Sequence, residues 1–237
     1  DIASNQAPFM SPRMFREFIF PHLKALCDLA HAKGRYFIKH TDGTMWALLD
    51  MMIEAGVDGW HGIQGRTTHV ARSRDGLHFQ FDAEPLFVPP TPEQEPFYSP
   101  LDQHPIDTRV TQIGDTYYIA RPGGGWSAKW GCCVILSKTK DFRSHEYMGI
   151  IGLPSNRGAS LFPEKIGGRY AKLDRPYNPG AGSENGNLWI SYSPDLLHWG
   201  DFKPVLACGY ATWAWLKIGP TPPIKTEKGW LMIVHGV

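Results

Sequence analysis

The stretch SNRGASLFPEKIGGRYAKLDRP, residues 155–176, decides how most of the chain is interpreted. It surrounds a short apolar run with basic residues and contains a Gly-Gly turn at Gly167 and Gly168. The basic residues are Arg157, Lys165, Arg169, Lys172 and Arg175. Cations beside strand residues are suited to hold an anion near a sheet, and an arginine donates two parallel hydrogen bonds to an oxyanion. The alternative is a solvated basic loop. The rigid proline beside the charges of Asp174-Arg175-Pro176 favours the anion site.

Composition limits the classes of protein that the chain can represent. With 237 residues and 42% hydrophobic content, it can bury one ordinary core or slightly more. Its net charge of +1 argues against nucleic acid and against an anionic membrane surface as partners. No apolar run approaches the roughly 20 residues that a membrane helix needs. No signal peptide is visible and the first residue is Asp1, so we expect the chain to begin inside a domain.

The cysteines and aromatic residues give weaker indications. The four cysteines, Cys27, Cys132, Cys133 and Cys208, show neither a pairing pattern nor the spacing of metal ligands. They predict free thiols in a reducing compartment, and therefore a cytoplasmic protein without a metal site. Nine Trp and nine Tyr fit a sugar-binding surface, where rings stack on the apolar faces of sugars, but they equally fit a β-rich core.

Residues 1–64 read as a short α/β segment. Ser11 is a helix N-cap with Pro12 in the first turn, and Pro21 predicts a kink or break in that helix. A strand over 35–40, a helix over 46–55 and a strand over 57–63 then predict a parallel βαβ unit.

This first segment resembles a fragment of the uroporphyrinogen decarboxylase and corrinoid methyltransferase superfamily of βα barrels. The matching pieces are Ser11-Pro12-Arg13-Met14-Phe15, Pro21-His22-Leu23-Lys24, His40-Thr41-Asp42-Gly43 and Glu54-Ala55-Gly56-Val57-Asp58-Gly59. Zinc-dependent members carry a cysteine where this chain has Asp42, so the resemblance does not support a zinc site. His40 and His61 are either site residues or ordinary packed or exposed histidines.

From about Gly65 the helical spacing disappears and short β-rich runs follow one another. Ser73–Phe79 aligns with Ser193–Trp199, and Ser137–Phe142 is a looser copy. A turn followed by an aromatic strand alternates with these copies, at Gly114, Gly168 and Lys228. About one copy for every four strands predicts the blades of a β-propeller, and an irregular β-sandwich is the alternative. The predicted fold class is therefore mainly β.

Comparable places in successive blades supply candidate site residues. They are Asp107, Arg109, Arg157, Arg175, Lys217 and His235. This set has one carboxylate among several cations. Hydrolysis by two carboxylates needs an acid and a separate base that activates water. One acid beside an anion site suits inorganic phosphate as the nucleophile, because phosphate is already anionic.

At these residues the chain resembles glycoside hydrolase family 130, the β-mannoside phosphorylases and related β-mannosidases, over residues 65–237. The matching pieces are Ala71–Gly76, Ile106–Val110, Asn156-Arg157, Leu161–Ile166, Asp174-Arg175-Pro176, Trp189–Ser191, Ser193–Gly200, Lys217-Ile218-Gly219, Pro222–Ile224, Gly229–Leu231 and His235-Gly236-Val237. The resemblance implies a five-bladed propeller. Because residues 1–64 replace the usual start and the chain stops at Val237, we expect incomplete first and last blades and a fused or misassembled reading frame.

The resemblance also implies roles. Asp107 matches the catalytic acid. Arg157, Arg175 and His235 match phosphate ligands, and Arg72, Arg109 and Lys217 match residues of the sugar site. The sequence Asp107-Thr108-Arg109 departs from the more usual Asp-Pro-Arg, which we interpret as subgroup variation because Arg109 is kept.

The implied reaction is inverting phosphorolysis of a β-mannoside, giving α-mannose 1-phosphate and a shortened acceptor. The implied partners are a β-mannoside oligosaccharide and phosphate as co-substrate, with no cofactor, and a homo-oligomer is compatible with the sequence. Three alternatives stay open: a β-mannoside hydrolase, a catalytically inactive carbohydrate-binding fragment, and a tetrapyrrole or methyl-transfer protein if the first segment dominates.

Overall fold

The computed structural model describes residues 2–3, 7–41, 43–61, 68–87, 107–123, 131–176, 186–207 and 218–236. The chain divides into two compact units, Asp1–Gly65 and Arg66–Val237. The assignment of domains to residues 1–64 and 65–237 stays a prediction. Across the described ranges, no helix is both long enough and apolar enough to cross a membrane.

The first unit begins with a nearly continuous helical stretch. It consists of α1 (Pro12–Met14), a π-helical segment (Phe15–Ile19) and α2 (Phe20–Ala32). The Ser11 hydroxyl accepts a hydrogen bond from the Met14 amide at 3.2 Å, which confirms the predicted N-cap. Pro21 does not break the helix, because it lies in the first turn of α2, where its missing N–H costs little. The departure from α-helical hydrogen bonding lies instead in the π-helical segment before Pro21.

The rest of this unit is the predicted βαβ unit. It contains β1 (Ile38–His40), a 3₁₀ turn (Trp46–Leu48), α3 (Leu49–Glu54) and β2 (Gly59–His61). Strands β1 and β2 pair in parallel, with Ile38 opposite Gly59 and His40 opposite His61. Both strands begin later than predicted, and residues 62–63 of the second predicted strand lie outside the described residues. The unit has its own buried core, which includes Phe15, Leu23, Cys27, Met45, Leu48, Met52 and Ala55.

The second unit is mainly β, as predicted. Its short first pair consists of β3 (Ala71–Arg72) and β4 (Gln80–Phe81). One four-stranded sheet contains β5 (Arg109–Ile113), β6 (Thr116–Gly123), β7 (Cys133–Thr139) and β8 (Glu146–Gly152). A second contains β9 (Asn156–Leu161), β10 (Tyr170–Pro176), β11 (Leu188–Ser193) and β12 (Gly200–Leu206). The last strands are β13 (Ile218–Pro220), β14 (Ile224–Thr226), β15 (Gly229–Leu231) and β16 (Val234–Gly236).

Both four-stranded sheets are antiparallel meanders in which the strands follow sequence order. Strand β13 pairs with β16, and β14 pairs with β15. Within the described ranges the strands do not form a closed ring of blades. The five-bladed propeller with incomplete first and last blades therefore stays a prediction.

The repeated motif forms the same turn in each copy. The hydroxyl of Ser73 accepts from the amides of Asp75 and Gly76, and the equivalent bonds occur after Ser193. The third copy begins two residues later than the predicted Ser137. Thr139 rather than Ser137 takes the serine position, because its hydroxyl accepts from the amides of Asp141 and Phe142.

Apolar packing joins the two meanders and places their first strands side by side. Buried residues from both sheets form one cluster: Ala120, Val134, Leu136, Ile151, Ala159, Leu161 and Leu196. The Thr111 hydroxyl on β5 donates to the Leu161 carbonyl of β9 at 3.2 Å. The Ser160 hydroxyl on β9 donates to the Pro220 carbonyl of β13 at 3.0 Å. These bonds tie the first strands β5, β9 and β13 together, and two of the predicted site residues, Arg109 on β5 and Arg157 on β9, lie on them.

Candidate active site

Three strands bring Asp107 and a group of arginines together. Asp107 lies two residues before the start of β5, and its φ of 56° is in the left-handed region that few non-glycine residues adopt. Arg157 is the second residue of β9, and Arg175 is next to last in β10. Since β9 and β10 are antiparallel, with Asn156 opposite Pro176, these two arginines lie at the same end of the sheet. Residues far apart in the sequence therefore meet at one edge.

The carboxylate of Asp107 lies between two guanidinium groups. Arg157 Nε is 3.3 Å from Asp107 Oδ2, and Arg109 Nη2 is 3.9 Å from Asp107 Oδ1. Arg109 is held in place because its Nε donates to the Pro220 carbonyl at 3.0 Å. We call Arg109, Arg157 and Arg175 the arginine cluster.

Arg175 is the most deeply buried member of the arginine cluster, with 7% of its surface exposed. Burial lowers its pKa, the charge of Asp107 opposes this shift, and Arg157 and Arg109 add to it. Three guanidinium groups surrounding one carboxylate leave an excess of positive charge. That excess is what an incoming anion compensates.

Arg175 could instead serve as a structural ion-pair partner of Asp174 or Glu164, but both carboxylates have other partners. Asp174 is bonded instead by the Lys172 ammonium, and Glu164 pairs with Lys225 at 2.6 Å. The guanidinium of Arg175 lies over Gly158. A Cβ built on that glycine would be 3.6 Å from Arg175 Nε.

Cys132 was predicted to be a free thiol but was not placed at the site. It is buried and free, and burial raises its pKa to about 11, against the opposing charges of Arg157 and Arg175. A neutral thiol therefore borders the arginine cluster. No spacing signal in the sequence could have located it, since its neighbours lie on other strands.

The five basic residues of the stretch 155–176 do not form one anion site. Lys165 and Arg169 lie at the turn end of the β9–β10 hairpin. There the Lys165 ammonium sits 4.5 Å from the centre of the Tyr170 ring, and Arg169 pairs with Asp201 at 3.0 Å. Lys172 is buried within the sheet. Hairpin geometry separates the two ends of the stretch, so that of its five basic residues only Arg157 and Arg175 lie at the end near Asp107.

The remaining predicted site residues are Arg72, His235 and Lys217. Arg72 donates to the Asp82 carboxylate at 2.7 Å and to the Phe142 carbonyl at 2.9 Å, contacts that anchor a loop. His235 lies in β16 opposite Gly219, and Lys217 lies outside the described residues. The roles of all seven predicted site residues stay predictions. Within the part of the chain that the structure describes, no group of three or more His, Cys, Asp or Glu residues could hold a metal ion.

Comparison with known proteins gives one consistent result. Residues 62–237 match the family model described as beta-1,4-mannooligosaccharide phosphorylase. The chain is 41% identical over 170 residues to a beta-1,2-mannobiose phosphorylase of Listeria innocua, covering 70% of this chain and 44% of that protein. It is 35% identical over 166 residues to a 1,2-beta-oligomannan phosphorylase of Thermoanaerobacter, covering 70% and 51%. The chain thus spans about half the length of the relatives it matches.

Solved structures agree. The complex of the Listeria innocua beta-1,2-mannobiose phosphorylase with beta-1,2-mannobiose aligns with a TM-score of 0.62 at 37% identity, over 72% of this chain and 45% of that one. A second structure, from a study of glycoside hydrolases that target beta-1,2 mannosidic linkages in Candida mannan, aligns with a TM-score of 0.59 over 74% of this chain and 54% of that one. At 16% identity this second likeness concerns the fold alone.

Proposed function

Because the chain belongs to glycoside hydrolase family 130, we propose that it catalyses the inverting phosphorolysis of a β-mannoside. The products are α-mannose 1-phosphate and an acceptor shortened by one sugar. Inorganic phosphate is the co-substrate, and the reaction needs no cofactor. The names of the relatives support this reaction class, since several are phosphorylases of β-linked mannosides.

The observation that carries the proposal is the arginine cluster around Asp107. A hydrolase needs a carboxylate that activates water, whereas phosphorolysis needs a site for an anionic nucleophile beside the acid. Three guanidinium groups and one carboxylate match the second requirement. Arginine forks also fit the tetrahedral oxygens of phosphate better than lysine would.

Within this site each group has a distinct task. Arg157 and Arg175 bind phosphate and aim one of its oxygens at the anomeric carbon. Asp107 in its protonated form supplies the proton to the departing glycosidic oxygen, directly or through a sugar hydroxyl. Arg109, fixed on the Pro220 carbonyl, is assigned to the sugar site and also orients the Asp107 carboxyl group. We assign two further residues, Arg72 and Lys217, to the sugar site. We assign His235 to the phosphate site.

The test is product analysis with and without phosphate. The protein is incubated with β-1,2-mannobiose, β-1,4-mannobiose or mannosyl-glucose in phosphate buffer and in a phosphate-free buffer. We expect mannose 1-phosphate only when phosphate is present. Free mannose released at the same rate in both buffers would identify a β-mannoside hydrolase. Sugar binding by calorimetry without turnover would identify a carbohydrate-binding fragment.

Three further assignments belong to this proposal. Residues 65–237 form part of a five-bladed propeller, which is supported by the two sequential meanders and the contacts among the first strands β5, β9 and β13. Residues 1–64 form a separate α/β domain that resembles a uroporphyrinogen decarboxylase fragment, supported by the parallel βαβ unit. The protein is cytoplasmic, supported by two buried free cysteines, Cys27 and Cys132.

A further inference from the structure

A buried polar network lies directly behind the arginine cluster. Its centre is Asp174, whose side chain is almost fully buried, as is that of Lys172. The Lys172 ammonium donates to both carboxylate oxygens of Asp174. The Asn156 amide donates to Oδ1 at 3.0 Å, and the Ser191 hydroxyl donates to Oδ2 at 2.8 Å. One carboxylate therefore joins three neighbouring strands, β9, β10 and β11.

The network is placed next to the two arginines in the sequence. Arg157 follows Asn156, and Arg175 follows Asp174. Since neighbouring residues in a strand face opposite sides, each network residue holds its strand from one side while the next residue presents its guanidinium on the other. The register of β9 and β10 shifts between Asp174 and Pro176, so strand pairing alone does not fix this point of the sheet.

A second connection runs through Asn156. Its side-chain oxygen accepts from the Gly158 backbone amide at 3.2 Å, and its backbone amide donates to the Cys132 carbonyl at 2.8 Å. Gly158 is the residue over which the Arg175 guanidinium lies. Asn156 therefore contacts the backbone beneath Arg175 and the backbone leading into β7, in addition to Asp174.

Energetic considerations indicate that this network fixes the positions of the strands more than it stabilises the fold. Burying an ammonium and a carboxylate carries a desolvation cost that their attraction offsets only in part, and an apolar pair of similar volume is often at least as stable. Burial lowers the pKa of Lys172, against the opposing effect of Asp174. An ion pair that is hydrogen-bonded from three strands imposes a directional constraint on strand position, which an apolar pair does not.

We propose that Lys172, Asp174, Asn156 and Ser191 are positioning residues that set where the Arg157 and Arg175 guanidinium groups lie beside Asp107. This inference rests on the proposed function insofar as those guanidinium groups bind phosphate. None of these four residues is assigned a contact with phosphate or sugar. Its effect on the reaction is exerted through the two arginines.

The first experiment measures kinetics of Asn156→Ala and Asp174→Asn. Asn156→Ala removes the bonds to Asp174 and to the Gly158 amide. Asp174→Asn places an amide where Asn156 needs an acceptor. We expect the KM for phosphate to rise about ten-fold in each, the worth of one hydrogen bond to a charged group, while the KM for the mannoside changes by less than about two-fold. The matched control is Ser193→Ala, which removes a buried hydroxyl from β11 that serves only the Asp195 turn. It should lower the melting temperature without changing the KM for phosphate.

A third variant keeps every hydrogen-bonding group of the network but shifts one of them. A Cβ at Gly152 would lie 3.0 Å from the Asn156 amide nitrogen and 3.1 Å from Val134 Cβ, so Gly152→Ala displaces the Asn156 side chain without removing a bond partner. Gly200→Ala is its control, since a Cβ there meets nothing within 4 Å. We expect the KM for phosphate to rise for Gly152→Ala and not for Gly200→Ala.

The last measurement separates this inference from the proposed function. The Nε–H signals of Arg157 and Arg175 are assigned by NMR with the Arg→Lys variants and compared between wild type and the network variants. Shifted or broadened signals support the positioning role, even if the wild type proves not to use phosphate. Unchanged arginine signals and an unchanged KM for phosphate, together with a lower melting temperature, would overturn it and leave a purely structural network.

Discussion

Arg157 Nε lies 3.3 Å from Oδ2 of Asp107, although 50 positions separate the two residues in the chain. A phosphate bound by Arg157 is therefore held close to the residue proposed to protonate the leaving group. A single displacement requires this proximity, because the nucleophile must attack the sugar while the acid assists departure on its other side.

Asp107→Asn tests the acid. The asparagine keeps the size and a hydrogen-bonding group but cannot deliver a proton. We expect kcat to fall by about two to four orders of magnitude, the usual worth of general acid catalysis, with sugar binding measured by calorimetry largely retained. Asp115→Asn, which changes an exposed carboxylate that pairs with Lys140, is the control and should retain activity. Turnover of Asp107→Asn near the wild-type rate would exclude Asp107 from this role.

Arg175→Lys tests the phosphate site. Lysine keeps the charge but loses the fork, so two directed hydrogen bonds become one movable contact. Each charge-assisted bond is worth about 1.5–3 kcal/mol, so we expect the KM for phosphate to rise by about ten-fold or more, with the KM for the mannoside nearly unchanged.

The same hairpin offers a control for that change. Arg169→Lys alters an exposed arginine at the turn end, where it pairs with Asp201. It should leave phosphate dependence as in the wild type. If Arg175→Lys lowers the melting temperature but leaves phosphate dependence unchanged, Arg175 is structural, and the main reason to prefer a phosphorylase over a hydrolase is lost.

Local patterns in the sequence were enough to predict several elements. The cap at Ser11, the parallel pairing of β1 with β2 and the turns at Ser73 and Ser193 depend on neighbours within a few residues or on one short connection. Such features are encoded by residue type and spacing. The sequence also predicts the third turn, but two residues too early, because Thr139 replaces serine there and Ser137 precedes it.

The geometry of the site could be predicted only in part. Composition suggested an anion site but not which cations form it, since the β9–β10 turn sends Lys165 and Arg169 to the far end of the hairpin. The buried pair of Lys172 and Asp174 was not anticipated either. Charged residues two apart in a strand share a face, but a sequence does not show whether that face is buried.

Gly158 provides a steric test of the arginine cluster. A Cβ at this position would make ordinary contact with Arg175, 3.6 Å from Nε and 3.8 Å from Cζ, so Gly158→Ala should be tolerated. The two additional methyl groups of Gly158→Val must displace the guanidinium. Because small displacements of a positioned group cost large factors in rate, we expect the KM for phosphate to rise by about ten-fold or more for valine. Identical phosphate kinetics for the alanine and valine variants would show that phosphate binding does not depend on the position of the Arg175 guanidinium over Gly158.

The Asp195 turn predicts a defined acid sensitivity of the fold. Amide and side-chain hydrogen bonds from His198, then the Leu197 amide, lower the pKa of Asp195, and similar bonds, led by the His78 side chain, lower the pKa of Asp75 in the matching turn. Because the folded state favours the ionised carboxylate, the stability that Asp195 contributes is complete above the usual Asp pKa of about 4. It is lost as the pH falls through the lowered folded pKa.

Urea unfolding of wild type and Asp195→Asn at pH 7, 5, 4 and 3 should show a constant gap in unfolding free energy down to about pH 5 and a shrinking gap below about pH 4. Asp75→Asn should follow the same course, since its turn has the same hydrogen bonds, whereas a gap that stays constant to pH 3 in both variants would show that the ionised form does not stabilise these turns.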